Sequence, residues 1–246
     1  MRTAAILPVK RFPIAKQRLG ESVEESLRAD LARAMMGDVL SALRECPAID
    51  ATIVVTREPS VAAAARYVGE IVVEDTVEES QSAAAALGLA GAIEEGFERA
   101  LCVPGDCPTL DPRELAELLA HIAFGGEGGT STTLSPARAP ARTCTREVVI
   151  VPDRHGSGTN GLLLTPPDAI SPSFGPDSRA RHERLADEAE ASWRIERPAS
   201  LLLDIDTGED LAVLRERLAG ETVRAPRTRA VLGIGERSWQ SSRPAA

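Results

Sequence analysis

Apolar and polar positions along this chain follow two alternating rhythms. Short unbroken apolar runs recur at Ala4–Val9, Ala51–Thr56, Glu70–Glu74, Arg99–Asp106, Glu147–Val151, Leu162–Leu164 and Leu201–Asp206. Continuous runs of this length read as strands buried on both faces of a sheet. Between them lie stripes of helical period. Leu27, Leu31, Met35, Val39 and Leu43 recur every four residues, widened by Ala34 and Leu40, until Pro47 ends the helix. A short alanine-rich helix starts near Ser60, and a second, capped by Ser80, runs to about Glu95. Asp111, Pro112 and Glu114 stand at N-cap, N1 and N3 of a helix whose core face is Leu115, Leu118, Leu119 and Ile122. The turn Ser173–Ser178 enters a charged helix reaching about Ala191. Thr207 with Asp210 caps the last helix, which faces inward through Leu211, Leu214 and Leu218.

Strands alternating with helices predict an α/β fold, a mostly parallel sheet in three layers. No repeat of fixed period interrupts it, so residues 1–223 read as a single domain. Residues 224–246 have no period and read as a flexible tail rich in arginine, proline and serine. Gly125–Thr145 shifts to Gly, Ser, Thr, Pro and Ala, as a long loop or insertion does.

Composition narrows the function. With 43% hydrophobic but only 3% aromatic residues, the core is built from Ala, Val, Leu and Ile. No apolar run approaches the roughly 20 residues that cross a bilayer. The start shows no cleavage pattern of a signal peptide, and the expected setting is cytoplasmic. Cys46, Cys102, Cys107 and Cys144 form no C-x-x-C pair and read as reduced thiols. A formal charge of -9 argues against nucleic acid as the main partner.

Against that acidic body, the loop after the first strand is basic. Lys10 and Lys16 are the only lysines in the chain, with Arg11 and Arg18 beside them and no carboxylate before Glu21. A cationic loop at the carboxyl end of a first strand is either a solvated surface or a phosphate site. Asp106 and Asp206 end two of the expected strands, on the same sheet edge if those strands are parallel. Together with the lysines they suit a magnesium ion held by protein and phosphate oxygens, although aspartates there also cap helices. That capping role is the reading for Asp204.

The run Arg154-His155-Gly-Ser-Gly-Thr159-Asn160 is either an anion nest or a plain turn. Gly175 and Ser178 sit where helix amides favour an anion. His155 reads as a polar contact, and His121 and His182 as ordinary helix residues. Glu78, Glu79 and Gln81 either read a nucleobase edge or form a solvated first turn.

Taken together, several motifs resemble one family. They are Ile6-Leu-Pro8-Val-Lys10-Arg-Phe, Ala15-Lys16-Gln-Arg18-Leu, Val103-Pro-Gly105-Asp106-Cys-Pro, Val151 to Asn160, Ser173 to Ser178, and Leu203-Asp-Ile-Asp206-Thr. The chain is similar over about Thr3 to Leu218 to the CofC/FbiD guanylyltransferases of coenzyme F(420) biosynthesis. The resemblance implies a Rossmann-like nucleotidyltransferase fold. The reaction would transfer GMP from GTP to a small phosphorylated three-carbon acid, typically phosphoenolpyruvate in bacterial members, with release of pyrophosphate. In other members the acid is 2-phospho-L-lactate or 3-phospho-D-glycerate. Lys10, Lys16 and Arg18 would hold the triphosphate, and Asp106 and Asp206 magnesium. Thr159, Gly175 and Ser178 would hold the acid, with Arg154, His155 and Asn160 beside them. Pro8, Gln81 and Gly105 would line the nucleotide site. The product would pass to the next enzyme of the pathway, and a homodimer is plausible for such a fold. Where relatives carry Gly-Leu-Asn before the alanine-rich helix, this chain has Glu79-Ser-Gln81.

Overall fold

A computed structural model describes residues 1–11, 19, 24–77, 79–120, 146–220 and 223–234. Lys16, Arg18, Glu78, His121, Cys144, the Gly125–Thr145 segment and the chain after 234 therefore lie outside the described residues.

Seven strands form one sheet in the order β3-β2-β1-β4-β6-β5-β7. They are β1 (Thr3–Val9), β2 (Ala51–Thr56), β3 (Ile71–Glu74), β4 (Arg99–Cys102), β5 (Glu147–Pro152), β6 (Thr159–Thr165) and β7 (Ser192–Ile195). Among the described residues, the only antiparallel pairings are those of β6 with β4 and β5, so β6 runs against the other strands of the sheet. This is the expected mostly parallel sheet. The amino end of β6 thus meets the carboxyl ends of β1 and β4.

Side chains alternate between two apolar layers. Ala5, Leu7, Val54, Leu101, Val149 and Leu163 pack under α1 (Glu25–Glu45), α2 (Pro59–Tyr67) and α4 (Pro112–Ala120). Ala4, Ile6, Ile53, Val55, Leu162 and Leu164 pack under α3 (Gln81–Glu94) and α5 (Ser178–Glu188). The close seat of α3 depends on Gly88, where an added Cβ would come 2.2 Å from Ile6 Cγ2. That seat brings the capped start of α3 to the carboxyl edge of the sheet, with Ser80 accepting the Ala83 amide at 3.0 Å.

Three expectations need correction. Leu201–Asp206 is not a strand. Ala199–Leu201 form a 3-10 turn, and the extended stretch after it bonds to loops, with the Ile205 amide donating to the Asp106 carbonyl at 3.2 Å. The short edge strand β7 was hidden by its half-exposed, mixed composition. The tail does not begin at residue 224. Pro226–Val231 form α7, which packs on α1 and, with α6 (Gly208–Ala219), closes a third apolar cluster around Leu31, Met35, Leu203 and Leu214. Asp38 of α1 supplies the cap that α7 lacks locally, accepting the amides of Arg227 and Thr228 at 3.1 and 2.8 Å. The capping box of Thr207 with Asp210 at the start of α6 is present as read.

Candidate functional site

A cleft of about 650 Å³ opens at the carboxyl edge of the sheet. Its lining brings together residues widely separated in sequence. Pro8 and Lys10 come from the end of β1, Gln81 from the start of α3, and Gly105 and Asp106 from the loop after β4. Thr159 and Asn160 come from the start of β6, Gly175 and Ser178 from the turn into α5, and Asp206 from the stretch before α6. Lys10 is exposed at this edge.

One end of the cleft is acidic. Asp106, Asp204 and Asp206 all line it. Leu203 and Ile205 are fully buried, so the extended backbone sends both aspartates to the opposite, cleft side. Burial, with the neighbouring Asp106 charge next, pushes the Asp204 carboxyl up to about 6. Asn160 counters this, donating through Nδ2 to Asp204 Oδ1 at 3.2 Å and to the Leu201 carbonyl at 3.0 Å. Asn160 is therefore engaged in holding the acidic segment. Among the described residues, no three carboxylate, histidine or cysteine side chains converge as a closed metal cage. Oxygen donors from two segments fit a hard divalent cation whose remaining ligands come from phosphate and water.

The other end is built from hydroxyls and a turn. Gly175 has φ +109°, a conformation that strains any residue with a Cβ. Arg181 clamps this turn from beneath, donating to the carbonyls of Ser173 and Phe174 at 3.0 Å each and also to that of Pro176. Ser82 of α3 accepts the Phe174 amide at 2.8 Å. His182, fully buried one helical turn after Ser178, bridges Thr159 Oγ1 at 3.0 Å and the Ser173 amide at 2.8 Å. Burial, reinforced by the Arg181 charge, brings its imidazole down to about 4.

Two predicted residues stand apart from the lining. Arg154 pairs with Glu209 at 3.0 Å and Asp210 at 2.8 Å, which ties the Asp153–Gly158 loop to α6. His155 is exposed at the tip of that loop. Sequence reading also passed over Asp204 and His182. The alternation Leu203-Asp-Ile-Asp206 signals the first. Ser178, His182 and Ala186, buried at four-residue spacing on one helix face, signal the second.

Known proteins agree with this architecture. Residues 3–138 match the family described as "Guanylyl transferase CofC like". The chain is 44% identical over 232 residues to the phosphoenolpyruvate guanylyltransferase of Conexibacter woesei, covering 94% of this chain and 96% of that one. It is 33% identical over 221 residues to the enzyme of the same name from Sphaerobacter thermophilus, covering 89% and 94%. In fold it is similar to a nucleotidyl transferase from Methanothermobacter thermautotroptrophicus, with TM-score 0.58 and 18% identity over 88% of this chain and 97% of that one. With a mostly parallel sheet, a two-ended cleft at its carboxyl edge and these similarities, the chain belongs to the CofC guanylyltransferase family of nucleotidyltransferases.

Proposed function

We propose that this protein transfers GMP from GTP to phosphoenolpyruvate, releasing pyrophosphate, as a step of coenzyme F(420) biosynthesis. The observation that carries the reading is one cleft with a carboxylate end and a hydroxyl-and-amide end, in a chain 44% identical to a relative of that name. In this reaction a phosphate oxygen of the acid attacks the α-phosphorus of GTP. A new P–O bond forms as the bond to the β-phosphate oxygen breaks, and the electron pair leaves with pyrophosphate. Phosphate oxygens are already charged nucleophiles, so positioning and charge neutralisation dominate.

Lys10 faces the triphosphate from the cleft edge, and the family resemblance assigns Lys16 and Arg18, outside the described residues, to the same group. Asp106 and Asp206 would hold the metal, with Asp204 alongside. Nucleotidyltransferases generally use a divalent metal, and we assign Mg²⁺ here because its oxygen-rich, partly open ligand set matches these carboxylates. When bound, that ion supplies charge neutralisation and a template for the phosphates. Thr159, Ser178 and the Gly175 turn receive the acid. Pro8, Gly105 and Gln81 line the nucleotide side, with Gln81 at the start of α3 as the residue that would read a base. Arg154 acts through its ion pairs, fixing the loop that leads into Thr159. We place the enzyme in the cytoplasm as a homodimer that hands its product to the next enzyme; light scattering reads the assembly.

Pyrophosphate release with Mg²⁺ and GTP tests the reaction. Phosphoenolpyruvate, 2-phospho-L-lactate and 3-phospho-D-glycerate are supplied separately, with the product-consuming enzyme present. Release with phosphoenolpyruvate is expected. Release with another acid alone reassigns the substrate. Silence with all three, and with ATP and CTP in place of GTP, leaves a nucleotide-binding module without turnover.

A further inference from the structure

His182 does not itself line the cleft, yet it bonds to both sides of the hydroxyl end. Its Nε2 lies 2.8 Å from the Ser173 amide nitrogen. A backbone N–H can only donate, so Nε2 must present its lone pair. A neutral imidazole with a bare Nε2 carries its proton on Nδ1. Nδ1 is 3.0 Å from Thr159 Oγ1, so the ring donates and the hydroxyl oxygen accepts. The hydroxyl hydrogen of Thr159 must then point away from His182. Thr159 is 7% exposed and lines the cleft.

The ring cannot easily reverse these roles. It is fully buried, with Phe174 edge-on at 5.2 Å and 73°. A flipped ring would still need its bare nitrogen at the Ser173 amide. Protonating both nitrogens would set an N–H against an N–H, in a site where the Arg181 guanidinium already braces the same turn.

We propose that His182, held as the Nδ1–H tautomer, is a positioning residue for the acid site. By donating to Thr159 it makes that hydroxyl a donor aimed at the bound anion. By accepting from Ser173 it fixes the turn that carries Gly175. The inference rests on the proposed placement of phosphoenolpyruvate at Thr159 and the Gly175 turn, and it deepens that placement. The hydroxyl is set to recognise a phosphate or carboxylate oxygen, which only accepts, and to reject a group that only donates.

Two isosteres separate the two bonds. In His182→Gln the side-chain carbonyl takes the place of Nε2, which keeps the acceptor for Ser173 and loses the donor to Thr159. In His182→Asn the amide takes the place of Nδ1 and does the reverse. His182→Gln should raise KM for phosphoenolpyruvate about tenfold, the size expected for one hydrogen bond to a charged group, with KM for GTP unchanged. Thr159→Val should do the same, and adding His182→Gln to it should change little more. His182→Asn, which keeps the donor to Thr159 but leaves the Ser173 amide without its acceptor, should raise KM for the acid about threefold, less than His182→Gln does.

Nitrogen-15 NMR of the histidine-labelled full chain, assigned with His182→Gln, should show a protonated Nδ1 and a bare Nε2 at neutral pH. A protonated Nε2 overturns the inference even if no variant folds. Equal losses for both substrates, or full additivity in the Thr159→Val background, also overturn it by reducing His182 to a packing residue. If Thr159→Val leaves KM for the acid unchanged, the placement of the acid fails. The kinetic role of His182 fails with it, while the NMR result still reports the tautomer.

Discussion

The two ends of the cleft handle charge in opposite ways. The acidic end gathers Asp106, Asp204 and Asp206, and burial, with repulsion from the other two carboxylates, pushes Asp204 up to about 6. The other end centres on a neutral, buried imidazole bonded to Thr159 and Ser173, with Asp153 and Asp177 also in the lining. In the function proposed above, one end would take a cation and the other an anion. A single site can thus be strained where its ligand brings charge and relaxed where its ligand brings shape.

Removing the acidic end should have the largest effect. Asp106→Ala should lower kcat by about a thousandfold or more, with an unchanged circular dichroism spectrum. An active variant would sink the metal assignment. Next in size, Gly175→Ala forces a Cβ into φ +109°. It should cost about 1–2 kcal/mol of stability and raise KM for the acid more than KM for GTP; equal increases would break the separation of the two ends. Asn160→Ala leaves Asp204 without its amide donor. It should cut turnover about tenfold and be partly rescued by raised Mg²⁺, whereas rescue by raised acid would put Asn160 at the wrong end.

The smallest net effect is on pH dependence, because the contributions of the two ends have opposite signs. His182 has a folded-state value of about 4, below its ordinary 6.5, so the unfolded chain binds the proton more tightly. Its contribution is complete above about 6.5 and is lost as pH falls toward 4, about 3 kcal/mol in all. Asp204 has a folded-state value of about 6, above its ordinary 3.8, so the folded chain binds the proton more tightly. Its contribution is present below about 4 and is lost as pH rises through 6, again about 3 kcal/mol. In EDTA the two nearly cancel and stability should vary little between pH 4 and 6. Asp204→Asn should unmask a profile that rises with pH, and His182→Gln one that falls, both read by denaturant melts. Parallel profiles would mean the ends are not independent.

The alternation of apolar runs and helical stripes made β1 to β6 and all helices but α7 readable, because each carries its own period and caps. What escaped depends on distant partners. The cap of α7 is Asp38, far away on α1, so Pro226 at N1 was the sole local mark of the helix start and no capping side chain accompanied it. Leu201–Asp206 has the composition of a strand, but its backbone is taken up by Asn160 and by the loop at Asp106. In the cleft, residue types suggested Lys10, Asp106, Asp206, Gly175 and Ser178, while Pro8, Gly105 and the role of Thr159 were picked out by the family resemblance; all of them line it. Arg154 was misread because a guanidinium beside glycines suggests an anion, and the sequence does not announce that Glu209 and Asp210 reach it first. His182 looked ordinary because its role lies in which nitrogen bears the proton.

The start of β6 holds one further consequence. Val151 pairs with Gly161 but Pro152 with Thr159, so Asn160 is an extra residue, a bulge in the strand. Strict alternation from Leu162, which packs against the α3–α5 layer, would put Asn160 on that layer and Thr159 on the other. The bulge acts as a phase shift, turning Thr159 to His182 on α5 and Asn160 to Leu201 and Asp204. Two adjacent residues therefore serve opposite ends, and their separation is set by a single step of backbone. Substrates whose charged groups are spaced differently cannot be met by sliding this strand, since any slip exchanges the two duties. Divergence in acid preference within the family should accumulate in the Ser173–Ser178 turn, the wall that can move without re-phasing the sheet.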